Sequence, residues 1–481
     1  MQQLSGMDAS FLYFETPSAP THIGSFAIYD QSTAPGGKVT FKGILRNVES
    51  RLHLARCFRQ RLVHVPLDLD HPYWIEDPEF DLEFHIRHIA LPHPGDWRQL
   101  CIQVARIHAR PLDLSKPLWE MYVIEGLDSV ENVPKGSFAV FTKIHHAAID
   151  GVSGAELAAA VHDVTPDAVP TPPDQDWAPE QPPSLVELSL RTAANNVRSP
   201  FRMIGTLART APGLARFVWP SAPPEIEDTG PVPRTRFNGT VSPHRVVEGR
   251  VFSLEQIREI RKRVHGSTVN DVVLTVCGGA LRRYLKHHSA LPRESLVAMA
   301  PISVRSEEER GSAGNRVSVM AVTLFTNIAD PLKRLEKVHK GTRNSKATAE
   351  AMGARTMTDI SQFLPGMWAG LAARLYTRLG LANRIRPFLN TVITNVPGPQ
   401  IPLYFTGARM VGFYGTGPVM DGMGVIHPVF SYDGHISIAI TACREQMPDP
   451  GFYAECLQAS FDELLDAARG EVMHPVSDAK Q

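Results

Sequence analysis

Apolar residues along the chain recur with two different periods, and the places where one gives way to the other mark its elements. Leu100, Val104 and Ile107 stand at helical spacing and predict an amphipathic helix over 97–110. Phe138 to Ile144 reads as a buried strand, and Ala155 to Val161 as the helix after it. Strand and helix signals mix in this way to about Val164. The pattern then breaks: Pro166, Pro170, Pro172, Pro173, Pro179, Pro182 and Pro183 all fall between Thr165 and Pro183. Proline fixes φ and lacks an amide hydrogen, so this density marks a linker.

Helical spacing returns over Ser184–Pro220. From Leu188 onward this stretch carries five arginines (Arg191, Arg198, Arg202, Arg209 and Arg216), no acid, and the aromatics Phe201, Phe217 and Trp219. A basic amphipathic stretch of this kind suits an anionic membrane surface. A helix packed across two domains with its arginines solvated gives the same spacing, and both readings stand.

A second patterned region begins near Arg245. Ser253 with Gln256 forms a capping box for a helix to about Val264. Thr268 caps another, in which Val269, Val272, Val273, Val276, Leu281 and Leu285 make an apolar stripe. Strands are predicted at Leu296–Ile302, Val317–Phe325, Thr391–Val396, Val425–Tyr432 and Ile436–Ala442. Asp330-Pro331 starts a helix between them, and a last helix spans about Gly451–Ala468. The fold class is therefore mixed α/β. The chain divides into residues 1–164, a linker and basic segment at 165–244, a second domain at 245–470 and a polar tail at 471–481. Two halves of similar class can pack sheet against sheet around a shared cleft.

A length of 481 residues agrees with two domains. The net charge of −1 lacks the basic excess that nucleic acid requires, so no nucleic-acid partner is expected. The five cysteines (Cys57, Cys101, Cys277, Cys443 and Cys456) are scattered without a CxxC pair. They read as reduced thiols of a cytoplasmic protein. Met1–Glu15 has neither the basic nor the long apolar region of a signal peptide, and no stretch reaches the roughly 18 apolar residues of a spanning helix. Work on lipid would take this chain to a membrane surface without crossing it.

The densest chemistry is His145-His146-Ala147-Ala148-Ile149-Asp150-Gly151, at the end of the Phe138–Ile144 strand. Neighbouring strand residues face opposite ways, so one histidine can look into a cleft while the other looks into the protein. A carboxylate followed by glycine suggests a tight turn. This is the layout of a positioned general base, and an ordinary histidine pKa of about 6.5 suits removal of a hydroxyl proton. Asp150 either accepts a proton or braces the turn; Gly151 beside it favours the brace, with Arg305 as a candidate partner. Two divergent histidines do not readily share one ion, so no metal is expected. A purely structural pair is the remaining alternative. His287-His288, in contrast, ends an amphipathic helix beside Lys286 and suits its C-terminus.

No protein nucleophile stands out. Gly151-Val152-Ser153-Gly154-Ala155 resembles GxSxG but ends in alanine and follows the histidine turn. No phosphate-binding Walker loop is present, and Gly415-Thr416-Gly417 lacks the third glycine of a dinucleotide fingerprint. An activated acyl donor such as a thioester needs no protein nucleophile, only a base for the attacking hydroxyl and donors for the oxyanion.

HHxxxDG resembles the signature of the CoA-dependent acyltransferase superfamily. Further segments resemble its bacterial wax ester synthase/diacylglycerol acyltransferase branch. They are Leu4–Glu15, Thr21-His22-Ile23-Gly24, Phe84–His88, Leu91–Gly95, Pro117-Leu118-Trp119, Asn270-Asp271 and Asn395–Pro399, which together span nearly the whole chain. Ile23 stands where the family usually has valine, and Pro301–Arg305 varies on its block. The resemblance implies two chloramphenicol-acetyltransferase-like domains with the active site at their interface. It implies His146 as general base, Asp150 as support of the turn, and Asn270 orienting a reactant or meeting the oxyanion. His145, Gly151 and Asp271 are left with supporting parts, and Pro117–Trp119 with packing. It implies acyl-CoA as donor substrate, diacylglycerol or a fatty alcohol as acceptor, no cofactor, and peripheral residence on a membrane or lipid droplet. The basic segment varies within the family, so a membrane role for it is not carried over. Two alternatives remain: a condensation-type enzyme, which would need a carrier domain not visible here, and a silent lipid-surface protein, which would not need the full His146, Asp150 and Asn270 set.

Overall fold

The structure, a computed structural model, describes residues 1–66, 69–149, 160–169, 179–192, 194–195, 232–303, 317–352, 371 and 375–470. Among them lie two six-stranded mixed sheets and one three-stranded sheet. The small sheet joins Gln2–Gln3 (β1), Tyr73–Glu76 (β4) and Gln60–Val63 (β3). The first large sheet has the spatial order Tyr404–Phe405 (β12), Ala408–Thr416 (β13), His22–Asp30 (β2), Phe138–His145 (β7), Trp119–Glu125 (β6) and Ile86–Ala90 (β5). The second runs Val317–Thr323 (β10), Val297–Ser303 (β9), Thr391–Pro397 (β11), Val425–Tyr432 (β14), His435–Cys443 (β15) and Arg245–Ser253 (β8).

Strand β7 shows why this region folds as it does. Phe138, Val140 and Ile144 join the core on one face of the sheet, while Ala139 and Phe141 join the core on the other. A strand buried on both faces reads as one apolar run. The helix Trp97–His108 covers the second face with Leu100, Val104 and Ile107, all buried. Its start is fixed by Asp96 and Gln99, which cap each other's backbone amides. A third core, the largest of the three, packs the helices Leu254–Arg261, Val269–His287 and Pro450–Arg469 on the second sheet.

The second-half elements that periodicity predicts lie close to their expected places with one difference, while the strands Arg245–Ser253, Tyr404–Phe405 and Ala408–Thr416 were not predicted. The helix after Ser253 stops at Arg261 and not near Val264. Only the Ser253 half of its capping box forms, with the hydroxyl accepting from the Gln256 amide at 3.4 Å. Beyond Arg261 the bonds tighten to three-residue closures, Arg263 to Ile260 at 3.0 Å and Val264 to Arg261 at 3.3 Å. This is how a helix end satisfies its last carbonyls when the chain must turn; Gly266 follows with φ +80°.

Strands β12 and β13 come from the second half of the sequence yet complete the first sheet. β13 pairs antiparallel with β2, from Gly24 opposite Thr416 to Asp30 opposite Arg409. The chain leaves β11 at Pro397 and turns at Gly398, where a Cβ would lie 2.3 Å from the Ser431 carbonyl oxygen. Gly415 sits where β13 passes the second sheet, and a Cβ there would lie 2.3 Å from the Phe430 ring. Gly415 and Gly417, which make no dinucleotide loop, are thus the seam where the two sheets approach.

Of the 184–220 segment, 184–192 and 194–195 are described, with a helix over 185–192. Leu188 is buried against Val65 and Tyr73, while Leu185, Val186 and Leu190 are exposed. The rest of that segment, most of the helix expected at 155–161, and Arg305 lie outside the described residues.

Candidate active site

The histidine pair closes β7, but its two members do not both belong to the strand. His145 is the last strand residue, and His146 opens a short 3-10 turn, His146–Ile149. The rings diverge because the backbone leaves the sheet between them, so strand alternation is not the cause. Both main-chain amides are held: His145 N–H donates to the Leu118 carbonyl at 2.9 Å, and His146 N–H to the Thr21 carbonyl at 3.1 Å. Leu118 of the Pro-Leu-Trp segment therefore sets the strand end. Trp119 anchors it from below, donating its indole N–H to the Phe58 carbonyl at 2.9 Å and stacking on His85 at 4.6 Å.

His145 is completely buried and fully bonded. Its Nδ1 accepts the Ala147 amide at 3.1 Å, which leaves the hydrogen on Nε2. That hydrogen is shared between a Glu15 carboxylate oxygen and the Thr21 hydroxyl, each 3.0 Å away. The Thr21 hydroxyl donates onward to the Phe11 carbonyl at 2.8 Å. Phe11 lies on the helix Gly6–Phe14, and its ring stacks on His146 with centroids 3.8 Å apart and planes 11° apart. One network thus runs Glu15–His145–Thr21–Phe11, and its last residue forms a wall for the His146 ring.

His146 is partly buried. Burial, with a lesser contribution from the neighbouring His145 ring, lowers its pKa from 6.5 to about 4. At neutral pH the ring is an uncharged imidazole with a lone pair available. Among the described residues it makes no hydrogen bond to another side chain. Behind the pair the sheet carries more buried polar groups. His22 stands opposite His145 in the strand register and donates to the His108 carbonyl at 2.6 Å. Lys143 is fully buried with its ammonium on Glu120 at 3.1 Å and on the Arg110 carbonyl at 2.8 Å. Burial pulls the Lys143 pKa down even so. Gly24 lets β13 pass this row: a Cβ there would meet the Thr416 hydroxyl at 2.7 Å and the Thr142 carbonyl at 2.8 Å.

In the second half Asn270 and Asp271 separate. The Asn270 side-chain oxygen accepts from the Asn395 amide at 3.3 Å, which leaves the Asn270 NH₂ free to donate. Asn395 is a β11 residue. Asp271 faces the other way, 1% exposed. Its carboxylate accepts from the Thr268 amide at 2.8 Å, His339 Nδ1 at 3.0 Å and the Thr342 hydroxyl at 2.7 Å. It binds the start of one helix to the helix Pro331–Met352. No described hydrogen bond or ring contact joins the Asn270–Asn395 pair to the histidine turn. Asp150 and Gly151 lie outside the described residues. His288 meets Asp449 at 3.1 Å beside the C-terminus of its helix. All five cysteines are free thiols, and no group of three or more His, Cys, Asp or Glu among the described residues is placed to hold a metal.

Known sequences resolve what the geometry alone leaves open. The wax ester synthase/diacylglycerol acyltransferase catalytic-domain model matches residues 4–273, and the C-terminal-domain model of the same family matches 313–465. The chain belongs to this family. A Mycobacterium tuberculosis H37Rv protein assigned only provisionally as a diacylglycerol O-acyltransferase is 33% identical over 476 residues, covering 97% of this chain and 91% of that one. The O-acyltransferase WSD of Acinetobacter baylyi is 32% identical over 461 residues, 93% of each chain. The solved wax ester synthase/diacylglycerol acyltransferase of Marinobacter aquaeolei VT8 matches with a TM-score of 0.68 and 27% identity, over 97% of this chain and all of that one. A condensation domain of the CDA synthetase shares the fold at a TM-score of 0.56 and 13% identity. The chain is thus an acyl-CoA-dependent O-acyltransferase of two-domain, mixed α/β architecture.

Glu15, Thr21, Phe11 and Asn395 are the site neighbours that pattern reasoning passed over. Each lies inside a segment that resembles a family block, which was the available signal. Their pairing across 130 residues for Glu15 and His145, and 125 for Asn395 and Asn270, has no local trace.

Proposed function

We propose that this enzyme transfers a long-chain acyl group from acyl-CoA to diacylglycerol to give triacylglycerol, with fatty alcohols as a second acceptor class giving wax esters. The observation that carries it is the His146 ring, uncharged at neutral pH, backed by the Phe11 ring and set on a braced turn. Its lone pair takes the hydroxyl proton as the alcohol oxygen attacks the thioester carbonyl carbon. A proton leaves an alcohol readily only as the C–O bond forms, so the two events are concerted. The tetrahedral oxyanion is met by the Asn270 NH₂. Collapse breaks the C–S bond, and the imidazolium gives its proton to the CoA thiolate. With a pKa of about 4 the imidazolium is a strong acid toward a thiolate, whose ordinary pKa is near 8.5. No covalent enzyme intermediate and no cofactor are needed. Asp150 and Gly151 brace the turn, His145 fixes its entry, and Asp271 fixes the helix that carries Asn270.

The two acceptor classes are separated by a competition assay. Labelled palmitoyl-CoA is offered with dioleoylglycerol and hexadecanol together, and the products are resolved by thin-layer chromatography. Triacylglycerol should dominate; a predominance of wax ester would reverse the acceptor order, and free palmitate alone would remove the transferase reading. Both acceptors partition into lipid, so the protein is read as a peripheral visitor to a membrane or lipid-droplet surface from the cytoplasm. No helix among the described residues is long and apolar enough to cross a bilayer.

A further inference from the structure

Exposed large apolar side chains concentrate in one part of the second half: Leu371 (45%), Leu375 (46%), Leu379 (54%), Ile385 (44%) and Phe388 (88%). Single exposed apolar residues are ordinary, but a run of them at a fixed site is not. This run is fixed. Gly380 turns the chain with φ +56° into a short turn, Leu381–Asn383, whose Ala382 is buried. Arg234 forks onto it, donating to the Ala382 carbonyl at 2.8 Å, to the Asn238 carbonyl at 3.1 Å and to the Ile385 carbonyl. The Asn383 side chain accepts from the Thr240 amide at 3.1 Å, and Asn390 closes the loop onto the Pro233 carbonyl at 2.7 Å. Ile385 and Phe388 are therefore held outward on a tethered loop.

The charge around them is mostly positive. Arg378, Arg384 and Arg386 are exposed between the apolar residues, and the sequence has no acid from Asp359 to Asp421. Beside Phe388 a groove of about 420 Å³ is lined by Arg234, Arg384, Arg386, Pro387 and a single acid, Glu294. Apolar residues that protrude past a cationic rim match a lipid interface with anionic headgroups, where arginines meet phosphate and the aromatic enters the acyl boundary. The loop runs directly into β11, the strand that carries Asn395.

We infer that the Leu375–Phe388 face is the surface by which this enzyme docks on an anionic phospholipid layer, Phe388 and Ile385 entering the apolar zone while Arg384 and Arg386 seat lipid phosphates. The inference rests on the reading of the protein as a visitor to lipid surfaces and assigns that visit to a defined face. It differs from the basic 184–220 stretch, which is an independent candidate.

The test is flotation of the full-length protein with vesicles of dioleoylphosphatidylcholine, alone or mixed with dioleoylphosphatidylglycerol. Wild type should float with the mixed vesicles more than with the neutral ones. The paired variant Ile385→Ser/Phe388→Ser should lose about tenfold or more in partitioning to both. Arg384→Gln/Arg386→Gln should lose about fivefold per arginine on the anionic vesicles alone. Melting temperatures should match wild type, because every altered side chain is exposed. Turnover of a short-chain acyl-CoA with a water-soluble alcohol should be retained while turnover of vesicle-embedded diolein falls. Failure of wild type to float on any vesicle would overturn the lipid-surface reading itself. Wild-type flotation with undiminished binding of both paired variants would overturn only this face. Conversion of a dimer to a monomer by Phe388→Ser without loss of vesicle binding would identify the face as a self-association surface instead.

Discussion

Replacing Asp271 by alanine should destabilise this enzyme and leave its chemistry nearly intact, whereas replacing Asn270, the residue before it, should do the reverse. The Asp271 carboxylate is 1% exposed and holds three donors: the Thr268 amide at 2.8 Å, His339 at 3.0 Å and the Thr342 hydroxyl at 2.7 Å. Loss of the capping interaction costs about 1 kcal/mol. Removing one partner of a buried, charged network costs roughly 3–5 kcal/mol, because the remaining donors stay buried without an acceptor. The two figures overlap, so about 3 kcal/mol is a fair floor. For a domain of this size about 1 kcal/mol moves the melting midpoint by about 2–4 °C, so Asp271→Ala should melt roughly 6–12 °C lower. Asp271→Asn keeps one acceptor and should fall in between. Asn270→Ala removes a side chain whose described bond is one contact of 3.3 Å to Asn395, so its melting point should move by less than about 2 °C. Its kcat should fall by about 10²-fold if its NH₂ meets the oxyanion. The assay pairs circular-dichroism melts with initial rates on palmitoyl-CoA and diolein at 20 °C, about well below every midpoint. An Asp271→Ala protein that melts like wild type yet is inactive would place Asp271 among the reactants and refute this division of labour.

Four further outcomes are expected. Because His146 is depressed to about 4, kcat/KM should stay level from pH 8 to about 5 and decline only as the pH nears 4; an acid limb centred near 6.5 would contradict its environment. Folding stability should behave differently: burial keeps His108 at about 3 and His427 at about 4, so below about 6.5 the unfolded chain takes up protons that the folded chain refuses. Stability should therefore decline as pH falls from about 6.5 toward 4, and urea midpoints that rise over that window would disprove it. Gly415→Ala places a Cβ 2.3 Å from the Phe430 ring and should cost roughly 1–3 kcal/mol in a denaturant titration, with a wild-type midpoint counting against the sheet seam. Glu15→Gln removes the charge from a 3.0 Å bond to buried His145 and should cost about 1–2 kcal/mol together with roughly tenfold in kcat, and an unchanged rate would detach this network from the site.

What could be read from the chain and what could not divide along physical lines. The apolar stripe of Val269–Leu285 and the run Phe138–Ile144 are local signals, and both elements stand where spacing puts them. The histidine pair and Asn270-Asp271 were legible as motifs because they are contiguous. The roles inside the second motif came from the family resemblance and not from spacing, since only the direction of the helix start shows that Asp271 points into the protein toward His339. The crossing of β13 into the first sheet left no mark in its composition. It depends on Gly24 and Gly415, whose need for glycine appears only when β13 lies against Gly24 and β14 of the second sheet lies against Gly415. The capping box at Ser253 was half right: the hydroxyl bond formed, but the helix ended earlier as its last turn tightened. Phe388 escaped notice because an exposed phenylalanine looks like any apolar residue until the tether on either side of it is seen.

The measurement that tests the central claim most directly is turnover of palmitoyl-CoA with diolein by His146→Ala, beside His145→Ala, in proteins whose folded state is verified by circular dichroism. A His146→Ala protein that melts near wild type should lose about 10²–10⁴-fold in kcat, the usual worth of a general base. His145→Ala should lose stability first, because it leaves Glu15 and Thr21 buried without their partner. Wild-type turnover by a folded His146→Ala protein would contradict the assignment of the base and, with it, the mechanism proposed for this enzyme.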